Sequence, residues 1–118
     1  MHNYDPVHQK QDGTWWFWDE AQFDEYGPYD DERTARLEIM RYWYGVLEGG
    51  YSLIQHPEDI EKGMVLINLE DRPFLMKHQR VTVAAIGKKN DTFDVEIASG
   101  RFLIVHKNDY RCFVRVTV

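Results

Sequence analysis

Residues 1–12 are polar, mixed and without period, and read as a loose arm. Asp12-Gly13 is a turn signal, and Thr14-Trp15-Trp16-Phe17-Trp18 then predicts a short strand of large, β-favouring aromatics. Alternation sends Trp15 and Phe17 to one face and Trp16 and Trp18 to the other, so neither face is polar and both require cover. Tyr26-Gly27-Pro28-Tyr29 pairs back as a second strand or closes a turn, and Asp30 follows as a helix cap. Residues 31–47 are good helix formers, with Asp31 and Glu32 in the first turn, where negative charge suits the helix dipole. At about 100° per residue, Ala35, Ile39, Tyr42, Trp43 and Val46 share one arc, and Leu37, Met40, Tyr44 and Leu47 a second. Thr34, Glu38, Arg41, Gly45 and Glu48 are left as the polar strip. Such a helix has to be sandwiched, with the aromatic hairpin on one side and the C-terminal half on the other.

Gly49-Gly50 ends the helix, and Pro57-Glu58-Asp59-Ile60-Glu61-Lys62 reads as a single helical turn with Pro at its first position and Gly63 at its end. Five strands follow, at 64–69, 80–86, 92–98, 101–106 and 112–118, rich in β-branched residues. In the third, Phe93, Val95 and Ile97 alternate with Asp94 and Glu96, the pattern of an antiparallel strand with one wet face. Lys89-Asn90-Asp91 and Ser99-Gly100 are tight hairpin connections. A longer segment, residues 70–79, joins the first two strands, and a short polar turn joins the last two. Alternation places Phe93 and Phe102 on inward registers.

Composition narrows the class. Leu, Ile, Val and Phe total 30 of 118 residues, enough to offset the entropy of ordering one domain. No stretch approaches a bilayer span, and Met1-His2-Asn3-Tyr4-Asp5 lacks the basic flank and apolar run of a signal peptide, so the expected setting is soluble and cytoplasmic. A single cysteine, Cys112, excludes an intramolecular disulfide and any thiolate-rich zinc site. The net charge of −6 hides two opposed halves: residues 1–62 carry 14 acids against 5 bases, residues 63–118 carry 6 against 9. Aromatics are also segregated, 12 of 17 lying within the first 51 positions.

The spacing of the five strands, with a long first loop, two tight hairpins and a brief turn before the last strand, resembles an SH3-like barrel of the Tudor or KOW kind over residues 57–118. The long loop, Glu70-Asp71-Arg72-Pro73-Phe74-Leu75-Met76, lacks the row of aromatics and acids that binds proline-rich ligands, and no Trp occurs after Trp43, so a PxxP ligand is not expected. Residues 12–47 are similar to small proteins of tailed bacteriophages and prophages. The resemblance is carried by Asp12-Gly13-Thr14-Trp15-Trp16-Phe17-Trp18-Asp19-Glu20, by Tyr26-Gly27-Pro28-Tyr29-Asp30 and by a following helix with Ala35. It implies a phage context, a bacterial host cytoplasm and a role in binding a host protein. The expected architecture is α+β: an aromatic β-hairpin and one main helix (13–50) packed on a five-stranded SH3-like antiparallel β-barrel (51–118) as one compact unit, with 1–12 as a flexible arm.

Candidate chemistry points to binding. Residues 19–32 hold Asp19, Glu20, Asp24, Glu25, Asp30, Asp31 and Glu32 with no base among them, which makes a solvated face or a surface for a basic partner. Trp16 and Trp18, on one face of their strand, would join Asp19, Glu20, Asp24, Glu25, Asp30 and Asp31 in a protein-binding surface, or else pack in the core with Trp15. Arg80, Lys88, Lys89, Arg101, Lys107 and Arg111 lie at strand ends or hairpin tips, where a basic rim could contact nucleic acid, the alternative reading. A third reading is a virion or assembly component whose aromatic surface is buried against other copies, a homo-oligomer. No membrane contact is expected. The histidines lack metal-ligand spacing, Ser52 and Ser99 have no elbow or adjacent base, and Cys112 sits in an apolar strand. No cofactor and no enzymatic activity are expected. His106 is expected to satisfy a local turn hydrogen bond.

Overall fold

The computed structural model describes residues 4–97 and 100–117, so the expected turn at Ser99 and the ends of the third and fifth strands, Ala98 and Val118, lie outside the described residues. The architecture is α+β, with a three-stranded and a six-stranded sheet and one main helix. The chain divides into two compact units, Met1–Met40 and Arg41–Val118.

In the first unit the expected hairpin is a three-stranded sheet, β1 (Val7–Gln9), β2 (Trp15–Trp18) and β3 (Glu25–Tyr29), in that order and antiparallel. Residues 7–9, read from the sequence as part of a loose arm, are its edge strand. Val7 lies opposite Phe17, and both are buried. The segment is pinned by polar contacts that no local pattern reveals: the Val7 amide donates to Asp5 Oδ1, and Arg36 donates to the other oxygen of Asp5 at 2.8 Å. On the far side of β2, Phe17 opposes Tyr26 and Trp15 opposes Tyr29, so β3 holds one residue more than the stretch it pairs with. Gly27, at φ +150°, lies where a Cβ would meet the Trp16 ring at 2.7 Å and the Trp15 carbonyl at 2.9 Å, and the Gly27-Pro28 peptide is cis.

Helix α1 spans Glu32–Tyr42. Its cap is Asp31, not Asp30: Asp31 Oδ1 accepts from the Thr34 amide at 2.8 Å and its carbonyl accepts from Ala35. Ala35, Ile39, Leu37 and Met40, from both apolar arcs, are buried. The regular period then stops. Residues Trp43–Leu47 wind as a π turn, which shifts the register, and Trp43, Val46 and Leu47 are exposed, not covered as the continued helical period required. The expected polar strip is also altered in the second unit. Arg41 is buried, its guanidinium reaching the Ile54 carbonyl at 3.4 Å, and Gly45 lies against Leu53.

The second unit holds a six-stranded antiparallel sheet, not the five strands expected: β4 (Tyr51–Leu53), β5 (Val65–Asn68), β6 (Arg80–Ile86), β7 (Thr92–Ile97), β8 (Arg101–His106) and β9 (Phe113–Val116). Their order is β4-β9-β5-β6-β7-β8. The extra strand, β4, is three residues long and adds to β9, too short to announce itself by alternation. The helical turn expected over residues 57–62 is a shorter 3-10 turn, Pro57–Asp59, ending at an extended Ile60, and another 3-10 segment, Lys107–Cys112, precedes β9. The core is apolar and contiguous in type: Leu66, Val81, Val83, Phe93, Val95, Val105, Phe113 and Val114 are all nearly or fully buried. Phe93 faces in as its alternation demands, but Phe102 does not. It lies opposite Glu96, the wet residue of β7, and is 60 % exposed, because the register of β8 against β7 puts even-numbered β8 residues on the outer face. Cys112 is buried just before β9, where its Sγ donates to Glu70 Oε1 at 3.3 Å.

Candidate protein-binding surface

The acidic stretch is organised around the β2–β3 loop and the start of α1. Asp19, Glu25, Asp31 and Glu32 are engaged within their own unit. Asp19 Oδ1 accepts from the Phe23 amide at 2.9 Å, while the Asp19 amide donates to the Asp24 carbonyl and closes the loop. Glu25 lies 2.6 Å from His8 Nε2 and 3.0 Å from Lys10 Nζ. Hydrogen bonds from these two partners, Lys10 first, hold its carboxyl below the ordinary glutamate range. Asp31 caps α1, and its carboxyl is lowered by the Thr34 hydrogen bonds. Glu32 pairs with Arg36 one turn along at 2.7 Å. Asp24 and Asp30 have no side-chain partner among the described residues and supply the open part of the negative field.

The Trp face is largely occupied by its own neighbours. His8 stacks on Trp18 with centroids 5.5 Å apart, Lys10 Nζ sits 3.7 Å above the Trp16 ring, and Trp16 Nε1 donates to Thr14 Oγ1 at 2.8 Å. Trp16 and Trp18 are therefore half-buried, neither a bare platform nor a closed core, while Phe17 on the other face is buried between Tyr26 and Tyr29. The residue that protrudes is one the sequence reading passed over. Phe23, at the tip of the β2–β3 loop beside a left-handed Gln22, is 85 % exposed. The available signal was a lone aromatic set inside the acidic run, with no apolar neighbour in sequence to share a core face with.

The basic residues do not form one rim. The antiparallel order of β6, β7 and β8 places Arg80 and Arg101, both at strand starts, at one end of the sheet, and Lys88 and Lys89, in the β6–β7 turn, at the other. Those ends are separated by the seven residues of β6, roughly 20 Å. Lys107 is not a rim residue: it is buried, with Nζ donating to Asn90 Oδ1 at 2.6 Å. Arg111 is exposed beside the Tyr110 ring. His106 Nδ1 accepts from the Asn108 amide at 3.2 Å, the local turn bond expected of it.

A second preorganised loop, residues 70–79, shows what the sequence pattern could not. Asn68 is fully buried at the end of β5, and its Nδ2 faces the carbonyls of Glu70, Leu75 and Met76 at 2.5, 3.4 and 2.9 Å. Arg72 and Leu75 exchange backbone hydrogen bonds around Pro73-Phe74, and Arg72 also pairs with Asp109 at 2.9 Å. Leu75 turns inward, but Phe74, at φ +66°, is 79 % exposed, with Met76 exposed beyond it.

Among the described residues, no group of three or more His, Cys, Asp or Glu side chains could hold a metal ion, and no helix is long and apolar enough to cross a membrane. A surface hollow in the second unit, about 300 Å³, is lined by Ser52, Glu58, Asp59, Glu61 and Arg115 among others, and the Asp59 carboxylate within it is taken by the His56 amide. No protein-family model, curated protein or solved structure matches this chain.

Proposed function

We propose that the protein acts by binding, not by catalysis: its first unit docks a basic, partly apolar protein surface through the β2–β3 loop. The observation that carries this reading is Phe23, an aromatic side chain 85 % exposed on a loop clamped by the Asp19 carboxylate and flanked by acids. A large rigid ring presented from an ordered backbone loses little conformational freedom on binding, and carboxylates around it favour a cationic partner and steer its approach. The likeness of residues 12–47 to small phage proteins makes that partner a host protein, which the bound chain would modulate in the bacterial cytoplasm. The strand order β9-β5-β6-β7-β8, the long β5–β6 loop and the 3-10 turn before β9 support reading the second unit as an SH3-like barrel with β4 as an added strand.

Affinity capture from a bacterial lysate tests the proposal when wild type is compared with Phe23→Ala and with Asp24→Asn combined with Asp30→Asn. Each change is at an exposed position, so the fold persists. A specific retained protein whose capture falls about tenfold or more with Phe23→Ala is expected, since a central aromatic anchor contributes on the order of 2 kcal/mol. Capture that is indifferent to all three changes, or no specific capture, overturns the reading.

A further inference from the structure

Of the four sheet edges, three are blunted and one is open. β1 and β4 are three residues long, and β3 carries Gly27-Pro28 and a register irregularity. Short strands, proline and bulges are the usual means of keeping an edge from pairing with another chain. β8 has none of them. It runs six residues, Arg-Phe-Leu-Ile-Val-His, without glycine or proline, and among the described strands it pairs with β7 alone.

The ladder fixes which of its groups are open. The Lys107 amide donates to the Asp91 carbonyl at 2.8 Å, and this position continues the β7–β8 register, in which Thr92 faces His106. Hydrogen-bonded and non-bonded positions alternate in an antiparallel pair, so the backbone groups of residues 101, 103 and 105 point to β7 and those of Phe102 and Ile104 point away from it. The same two residues turn their side chains to the outer face, where they are 60 % and 71 % exposed. Open backbone and exposed apolar side chain therefore coincide at Phe102 and at Ile104.

We propose that this edge is a self-association seam, occupied by β8 of a second copy. A two-fold antiparallel pairing centred on Leu103 sets Phe102 of each copy opposite Ile104 of the other. It satisfies the open backbone groups of both residues and forms two aromatic–β-branched cross-strand pairs on the outer face. Nothing charged meets across the seam: Asp94 and Glu96 stand one strand further in, and Arg101 falls opposite Val105 on the other face. An uncharged, self-matching row suits a copy of itself better than a charged strand, whose side chains would lose water without gaining a partner. The contact is small, so the dimer is a weak one, in the micromolar range. It does not depend on the Phe23 loop.

The test is sedimentation equilibrium of the full chain from about 5 to about 500 µM, a range that brackets a small interface. A reversible monomer–dimer equilibrium is expected, weakened about tenfold or more by Phe102→Lys and by Ile104→Lys and unmoved by Met76→Lys, an exposed apolar site elsewhere in the unit. Because both copies carry net negative charge, added salt should strengthen the dimer, opposite to its effect on a basic partner. Should the lysine variants unfold, amide exchange on the unaltered chain still decides the matter: Phe102 and Ile104 amides should slow as concentration rises. A strict monomer throughout, a dimer that ignores both folded lysine variants, or exchange at these two amides independent of concentration each overturns the proposal.

Discussion

Asn68, at the end of β5, and Phe74, in the β5–β6 loop, carry opposite signs of stability. Asn68, itself fully buried, contributes its amide donor where three main-chain carbonyls of the loop converge. Asn68→Leu keeps the volume but takes the side-chain donor from the Glu70 carbonyl, while the Leu75 and Met76 carbonyls keep the Arg72 and Gln79 amides, and it should cost about 1–3 kcal/mol in urea unfolding. Asn68→Asp should cost more, because it sets a carboxylate against the same oxygens. Phe74 is the reverse case. Its left-handed backbone disfavours any Cβ, and its exposed ring recovers nothing by burial within the chain. Phe74→Gly should therefore raise stability by about 0.5–1 kcal/mol, the difference between the relieved backbone and the added freedom of the unfolded chain. A lower urea midpoint for Phe74→Gly would mean that the ring has a packing role the fold does not display.

At the scale of elements, the first unit's sheet is joined by ionised groups as much as by aromatic packing. Glu25 of β3 meets His8 and Lys10 across β2, and Asp5 ahead of β1 meets Arg36 of α1. Both carboxyls are held below their ordinary values, Glu25 by the hydrogen bonds from Lys10 and His8, Asp5 chiefly by that from Arg36. A carboxyl lowered on folding contributes stability above its unfolded value and loses it as pH falls through the folded one. Stability should thus hold down to the ordinary values of 4.5 and 3.8 and decline below them. Glu25→Gln should flatten that acid limb in unfolding measured from neutral to acid pH; an unchanged limb would assign acid sensitivity elsewhere. These pairings also explain what sequence could and could not give. The strand at Trp15–Trp18, the helix over Glu32–Tyr42 and the alternation of β7 were legible because each is stated by local period or propensity. β1 and β4 were not, since three residues have no period and their partners lie far along the chain. The outward turn of Phe102 was likewise hidden, because it depends on a cross-strand register and not on β8 itself. At the candidate site the acids were legible as a run, but which of them serve the fold was not, and Phe23 emerged only once the loop was closed.

At the scale of the whole chain, the division at residues 40 and 41 keeps the sign of the charge contrast seen in the sequence but leaves the C-terminal part nearly neutral. The first unit carries 10 acids against 3 bases, or −7, and the second 10 against 11, or +1. Nucleic-acid binding would have to come from the second unit, and affinity for a polyanion follows the number of phosphates neutralised together. A nearly neutral unit in which Arg80 and Arg101 stand at one end of the sheet and Lys88 and Lys89 at the other, with Lys107 withdrawn into the interior, brings about two of these bases to one stretch of backbone. Two contacts give little binding near physiological salt, where the Debye length is about 8 Å. Fluorescence anisotropy with labelled single-stranded and duplex oligonucleotides should accordingly show no micromolar binding at about 0.15 M salt, and Lys88→Ala with Lys89→Ala should change nothing. Micromolar binding that falls with those two substitutions and weakens steeply with salt would instead give the β6–β7 turn a phosphate-binding role.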